Sequence, residues 1–412
     1  MNIGLIGAIG VDDVGDVIML EANLKLLKEI CSKNGINPEF TIFTFNKELS
    51  KKQLETFGVV ADLVDCINKD SLSADILSAA SFEELIGMHL EQVITDKEYL
   101  KKFKECDVFY YIGGGYFNSY WGEKLVSTFI LPIALAYQYK KPIFISGVNI
   151  GPFDEKHINR WKGTFKNIDT LVFRDRETSA KILEQLGGAT GKVVLGCDDI
   201  LARWYDTDSK TNILSDLNIK PKYAVIQLHH WVEKYSENYI RFYKEFLMFL
   251  NKLLDDKKID KVYYLPFNNY KGVDYECGRR LKAFMDDRED MILIQPLKDY
   301  IGMREIISNA EFVIASRYHP VVFGIGEQVP TLAICVNDLY NQKLSGAYDV
   351  VDLDKKSNMI NVNEFSCDRL TEWYKKIENN EYFHGTNITQ KIIEYNEDRQ
   401  NNIEDFLLKY QR

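Results

Sequence analysis

The stretch Asp107-Val108-Phe109-Tyr110-Tyr111-Ile112-Gly113-Gly114-Gly115 decides the fold. Its apolar run has strand length, shows no alternation, and is rich in aromatic and β-branched residues. That is the pattern of a strand buried on both faces, as in a parallel sheet. Glycine costs backbone entropy, so three in a row at the strand's end need a reason. Close approach of a ligand and simple packing both supply one.

The same grammar extends outward. Upstream, Asn2–Gly7 and Glu39–Phe45 read as strands, with helices over Gly15–Cys31 and near Lys51–Gly58. Downstream, Leu125–Tyr139 reads as one helix and Pro142–Val148 as a buried strand. Thr170–Arg174 and Lys192–Leu195 are short strands around a helix at Glu177–Leu186. The second half repeats the alternation, with strands at Tyr223–Leu228, Lys261–Pro266, Met291–Ile294, Phe312–Ala315 and Pro330–Cys335. Helices fall between them at Asn238–Leu254, Tyr275–Met285 and Tyr300–Ser308. Strands alternating with helices predict an α/β fold with parallel sheets covered on both faces.

A chain of 412 residues is long enough for two such domains. The polar stretch Asp206–Lys222 marks the break. The expected division is 1–205, an N-terminal Rossmann-like domain on the acceptor side, with a helical insertion near 70–96 serving as a lid or interface. Residues 206–365 form a C-terminal Rossmann-like domain on the donor side, and 366–412 form helices packing back on the body. Two α/β halves joined by one linker are expected to face a central cleft, with ligands beyond the carboxyl ends of the strands.

Composition narrows the function. Hydrophobic residues are 46% and charged residues 27%, as in ordinary globular proteins. The formal net charge of −10 shows no basic surplus, which argues against nucleic-acid binding. The seven cysteines are scattered and never form C-x-x-C, so reduced thiols in a cytoplasmic protein are expected. The N-terminal sequence MNIGLIGAIG lacks the basic region of a secretory signal. The longest apolar stretch, Leu125–Tyr137, is too short to span a bilayer and contains Pro132.

Several motifs sit at strand ends. Gly4-x-x-Gly7-x-x-Gly10 precedes Val11-Asp12-Asp13-Val14-Gly15-Asp16. It reads as a tight turn with Asp16 capping the next helix, and its spacing is not the dinucleotide fingerprint. Ser146-Gly147-Val148-Asn149-Ile150-Gly151-Pro152 is another glycine-bearing strand end. In Phe173-Arg174-Asp175-Arg176-Glu177-Thr178-Ser179, Asp175 reads as a helix cap, and the arginines could pair internally or hold an anion. Ala315-Ser316-Arg317-Tyr318-His319-Pro320 combines a permanent cation, a group able to exchange a proton near neutral pH, and a helix N-terminus. His229 and His230 follow a strand, and on an extended segment they would face opposite ways. Asp206-Thr207-Asp208 matches a metal-binding D-x-D but lies in the linker, where it reads as chance. Tyr340-Asn341-Gln342-Lys343-Leu344-Ser345-Gly346 reads as a binding loop or a solvated turn past a strand.

Taken in order, these segments resemble the polysaccharide pyruvyl transferase family. The matching pieces are Gly15-Asp16, Gly113-Gly114-Gly115, Gly147-x-x-x-Gly151-Pro152, Arg174-Asp175-Arg176-Glu177-Thr178-Ser179 and Cys197-Asp198-Asp199. Ser316-Arg317-Tyr318-His319, Val329-Pro330 and Tyr340-x-x-Lys343-x-x-Gly346 complete the series, over roughly residues 1–350. The resemblance implies a fold like that of two-domain glycosyltransferases (GT-B-like), with a helical C-terminal tail. It also implies phosphoenolpyruvate as donor and a pyruvate ketal on a cell-surface glycan precursor as product. It assigns catalysis to His319 and Arg317, and substrate binding to Lys343, His229, Gly113, Gly114, Gly115, Asp16 and Arg174. No metal and no cofactor beyond the co-substrate are implied. The acceptor would be a sugar or lipid-linked oligosaccharide, met in the cytoplasm or by peripheral contact at the inner face of the membrane, and a homo-oligomer is compatible.

Three positions depart from the family pattern. His229 follows Leu228 where the family often carries Arg, Tyr318 replaces a usual Leu, and Asp198-Asp199 stands for a usual Asp-Pro. Losing that Arg removes a fixed cation, so a nucleotide-sugar glycosyltransferase is the alternative enzyme. A non-catalytic glycan-assembly protein is the third reading.

Overall fold

A computed structural model describes residues 1–67, 72–202, 211–297 and 300–411. Contacts divide the chain into two compact units. The first comprises Met1–Val11, Asp16–Ala202 and Glu394–Arg412; the second comprises Asp12–Gly15 and Arg203–Ile393. Asp206-Thr207-Asp208 lies outside the described residues.

The first unit is built on an eight-stranded sheet: β1 (Asn2–Ile6), β2 (Glu39–Thr44), β3 (Asp62–Asp65), β4 (Val108–Tyr111), β5 (Gly114–Phe117), β6 (Ile143–Ile150), β7 (Thr170–Phe173) and β8 (Lys192–Leu195). The order is β3-β2-β1-β4-β6-β7-β8, with β5 pairing with β6, and every pair is parallel. All four residues of β4 and all eight of β6 are buried, as the unbroken apolar runs require. Phe103 stacks on Phe109 of β4 with ring centroids 4.0 Å apart. Each such fully buried side chain contributes about 1.5–3 kcal/mol of transfer free energy.

The second unit carries β9 (Tyr223–Gln227), β10 (Lys261–Tyr264), β11 (Met291–Leu293), β12 (Phe312–Ala315), β13 (Thr331–Cys335) and β14 (Met359–Asn361). The order is β11-β10-β9-β12-β13-β14, again all parallel. That is the Rossmann order 3-2-1-4-5-6, which reverses between β9 and β12.

Several segments differ from the sequence reading. β3, β5 and β14 are strands of three or four residues that apolar periodicity does not reveal. Leu125–Tyr139 is not one regular helix. Leu125–Ile130 is a π-helix, continued by an α-helix over Leu131–Tyr139. Pro132 explains the change, because it has no N–H for the carbonyl of Thr128 and its ring would press on that carbonyl in an α-helix. Leu131 donates instead to Val126, five residues back. Lys343 lies within the helix Asp338–Asp349, not in a loop; the Asn337 side chain caps it by accepting from Tyr340 N–H at 3.0 Å.

The insertion's described residues form short helices, and Ile76, Phe82, Leu85 and Leu90 are buried in the first unit's core. Its apolar face therefore packs into that core, with residues 70 and 71 outside the described residues. The segment 366–412 does not act as one tail. The helix Cys367–Glu378 belongs to the second unit, where Trp373 packs edge-on against Phe312. The helix Ile388–Tyr410 contributes residues from Glu394 onward to the first unit, where Phe406 meets Phe144. No helix among the described residues is long and apolar enough to cross a membrane.

Candidate active site

The switch point between β9 and β12 places two backbone ends side by side. In an open parallel sheet, that crevice beyond the carboxyl ends is where ligands bind. β9 ends at Gln227 and leads into Leu228 and His229; β12 ends at Ala315 and leads into Ser316 and Arg317. Gln227 ties the ends together: its side-chain carbonyl accepts from Arg317 N–H at 3.0 Å, and its backbone carbonyl accepts from Ser316 N–H at 3.0 Å.

Arg317 is buried, and its guanidinium is gripped by Asp274, which is 0% exposed. Nε donates to Oδ2 at 2.6 Å and Nη2 donates to Oδ1 at 2.6 Å. Asp274 also accepts from Gln227 Nε2, Asn268 N–H and Phe267 N–H. Burial works against the Arg317 charge, but the Asp274 carboxylate more than offsets it, and Tyr340 and Asp13 act in the same direction. The guanidinium is therefore a fixed cation. Nη1 lies 3.9 Å from an Asp13 oxygen and is the nitrogen not bonded to Asp274.

Asp13 reaches this unit because Asp12–Val14 pairs with Phe267–Asn269. Asp13 and Asn268 form an antiparallel bridge, Val14 N–H donates to the Phe267 carbonyl at 3.0 Å, and Asn268 Nδ2 donates to Asp13 at 2.9 Å. The adjoining Gly15 packs directly on the His319 ring. A Cβ at position 15 would lie 1.7 Å from His319 Nδ1, so only glycine fits there. His319 Nδ1 is 3.9 Å from Asp13, at the first turn of the helix Tyr318–Gly326.

His229 closes the other side. Its Nδ1 accepts from Trp231 N–H at 2.8 Å, which leaves the neutral ring's proton on Nε2. Burial holds its pKa far below the usual histidine value, helped by Arg317, His230 and Lys343. His230 is lowered as well, first by burial and then by Arg317. The two histidines do not face opposite ways. Their rings stack at 4.3 Å, because β9 ends at Gln227 and His230 is already in helical conformation at the start of Trp231–Tyr235. Tyr340 stands edge-on to His229 at 5.4 Å, and the Lys343 ammonium sits 5.7 Å from the Tyr340 ring. The structure thus brings together Arg317, His319, His229 and Lys343.

The other expected site residues lie in the first unit, and their observed contacts are internal. Gly113 N–H donates to Asp199 at 2.8 Å. A Cβ on Gly113 or Gly147 would sit 2.7 Å from an Asp199 oxygen, so close packing around this carboxylate accounts for both glycines. Gly114 faces the Tyr116 ring, and the Gly115 carbonyl accepts from Asn118 Nδ2. Asp199 also accepts from Asn23 and Ser146 and lies 3.4 Å from the buried Arg399. Burial pushes the neighbouring Tyr110 phenol up to about 12. Arg174 is buried and donates to Asn149 and Asp198 at 2.6 Å each. Asp175 accepts from Ser179 N–H, but the cap position of the helix starting at Thr178 is Glu177, whose side chain makes no capping bond. Asp16 does not cap the next helix, because that helix starts two residues earlier, at Val14, and Asp16 lies inside its first turn.

Sequence reasoning missed Asp274 and Gln227. Asp274 is one acidic residue in the first turn of the helix Val273–Phe284, a common position with no ligand signature.

The fold and this cluster define a protein of two Rossmann-like units, GT-B-like, with a cation, an imidazole and a helix N-terminus at the second unit's switch point. Solved structures share the architecture. UDP-GlcNAc 2-epimerase from Neisseria meningitidis, bound to UDP-GlcNAc, is 13% identical, with a TM-score of 0.60 over 99% of this chain and 100% of that one. A glycosyltransferase from Rickettsia africae is 12% identical, with a TM-score of 0.55 over 99% and 97%. At these identities the likeness concerns the fold. The chain belongs to the polysaccharide pyruvyl transferase family, whose model matches residues 14–337. The amylovoran biosynthesis protein AmsJ of Erwinia amylovora is 23% identical over 316 residues, covering 70% of this chain and 69% of that protein. Membership places the chain among transferases of polysaccharide biosynthesis.

Proposed function

We propose that the chain transfers pyruvate from phosphoenolpyruvate to a sugar of a glycan precursor, forming a ketal. One observation carries the reading: Arg317 and His319, within the family-matched span, and Lys343, just beyond its end, converge beyond β9 and β12, where the helix N-terminus at Tyr318 adds partial positive charge. A small dianionic or trianionic donor suits such a place. Arg317, clamped by Asp274, presents Nη1 toward phosphate or carboxylate, and Lys343 adds a mobile second cation.

The chemistry balances without an oxidant. His319 gives a proton to the enol carbon, which becomes a methyl group, and positive charge develops at the adjacent carbon. A sugar hydroxyl bonds there, and its proton returns to the His319 imidazole, restoring the acid. A second hydroxyl then displaces phosphate, which leaves with the bonding electron pair, and its proton passes to solvent or phosphate. Arg317 and Lys343 offset the charge developing on the leaving group. The acceptor is a sugar or lipid-linked oligosaccharide, met in the cytoplasm or at the inner membrane face.

A nucleotide-sugar donor is the second reading. The neutral, buried His229 favours it, since a fixed cation is missing where the family often carries Arg. Titration calorimetry separates the two. Saturable phosphoenolpyruvate binding, weakened about tenfold (~1.4 kcal/mol) in Lys343→Ala, is the expected result. No phosphoenolpyruvate binding, with clear binding of UDP or CMP, overturns it.

A further inference from the structure

The first unit holds a cavity of about 740 Å³ that neither the switch-point cluster nor the Asp199 network uses. It opens at the carboxyl ends of β2 and β3, where Asp65 closes its strand and Phe45 and Cys66 follow theirs. Its volume falls within the range of small-molecule sites and exceeds the needs of a single sugar ring.

Its lining is chemically mixed in a specific way. Phe45 and Trp121 supply aromatic surface; their planes are nearly parallel, at 10° and 6.4 Å. Trp121 is held edge-on by Phe129 at 5.4 Å, so its orientation is set from behind. Asp65, Asp96 and Glu123 supply carboxylates, and Lys124 the one cation among the lining residues. Ser127 and Thr128 also line the cavity. Each residue is only 4% exposed, yet neither hydroxyl is among the sealed polar atoms that lack a hydrogen-bond partner.

As lining residues, Ser127 and Thr128 offer these hydroxyls to whatever fills the cavity. Buried hydroxyls normally find partners, and helical Ser and Thr usually satisfy theirs on the carbonyl one turn back. These two lie on the π-helix Leu125–Ile130. Such widened turns recur at functional sites, because they re-aim side chains that an α-helix would direct elsewhere.

We propose that this cavity binds one or more pyranose rings, as the acceptor site of the transfer described above; the acceptor role rests on that reading. Aromatic faces take the apolar C–H side of a sugar ring. Carboxylates accept from its hydroxyls, and Ser127 and Thr128 complete the network. The three carboxylates disfavour phosphate, so the cavity rejects a phosphorylated donor and leaves it to the second unit.

The test uses the full chain and saturation-transfer NMR with methyl β-D-glucoside, methyl β-D-galactoside, methyl β-D-mannoside, lactose and cellobiose. Phosphoenolpyruvate binding is measured on the same samples. Trp121→Ala removes the aromatic face, and the near-isosteric Thr128→Val removes one hydroxyl while keeping the packing. The expected result is binding of at least one sugar, weakened about tenfold in Trp121→Ala and several-fold in Thr128→Val, with phosphoenolpyruvate affinity unchanged. Equal sugar binding by wild type and both variants overturns the site, as does absence of sugar binding by wild type. Sugar binding lost in the variants, without phosphoenolpyruvate binding by any sample, upholds the pocket and overturns the donor reading alone.

Discussion

Replacing Asp274 with Asn tests the architecture of the candidate active site without reference to its chemistry. The substitution keeps the shape but turns one acceptor atom into a donor facing the Arg317 guanidinium. It leaves a buried cation without its counter-charge and weakens acceptance from Gln227, Phe267 and Asn268. Breaking one side of a buried ion pair costs about 3–5 kcal/mol. With a urea slope of about 2–3 kcal/mol per M, the unfolding midpoint should fall by ~1–2 M. Urea unfolding of the full chain, followed by tryptophan fluorescence, reads this directly. Replacing both partners, as Asp274→Leu with Arg317→Met, should cost clearly less than Asp274→Asn alone, because no uncompensated charge remains. A midpoint drop below ~0.3 M for Asp274→Asn would refute the claim that this pair is desolvated and mutually dependent.

Two further predictions concern the same unit. Gly15→Ala puts a methyl 1.7 Å from His319 Nδ1, so the ring must move by about 2 Å to regain van der Waals contact. The His319 ring resonances should shift, and phosphate release from phosphoenolpyruvate in the presence of acceptor should slow about 100-fold; wild-type resonances in the variant would contradict the packing. His229 is held far below the usual histidine pKa, so the unfolded chain binds a proton that the folded chain refuses once pH falls below ~6.5. Stability should therefore fall with falling pH, by up to ~1.4 kcal/mol per pH unit, and His229→Gln should flatten the slope of urea midpoints between pH ~7.5 and ~5.5.

The strands of both sheets were legible because burial on two faces leaves unbroken apolar runs, as at Phe109–Ile112 and Ile143–Ile150. Helices bounded by caps were legible too, whereas β14 and β3 escaped because edge strands of three or four residues carry little pattern. Within the candidate site, Arg317 and His319 stood out as a pair because only Tyr318 separates them in the sequence. Asp274 did not, since its partnership with Arg317 spans 43 residues and exists only once the switch point forms. Gly15 looked like part of a turn, and its real constraint is an imidazole 304 positions away. The stacked histidines were misjudged because strand alternation was extended past Gln227, where the backbone has already turned helical. The π-helix was foreshadowed only by Pro132 inside an apolar run.

The pairing of Asp199 with Arg399 sets a timetable for synthesis. The two residues are separated by 200 positions, and all of the second unit except Asp12–Gly15 is translated between them. A nascent chain can lay down β1 to β8 early, and Asn23, Ser146 and Gly113 N–H can already solvate the Asp199 carboxylate. Its guanidinium arrives only with the last residues to leave the ribosome. The first unit to be translated is therefore the last to be completed. While residues 200–398 are made, its Asp199 carboxylate lacks the buried cation that a fragment ending at residue 202 could never supply.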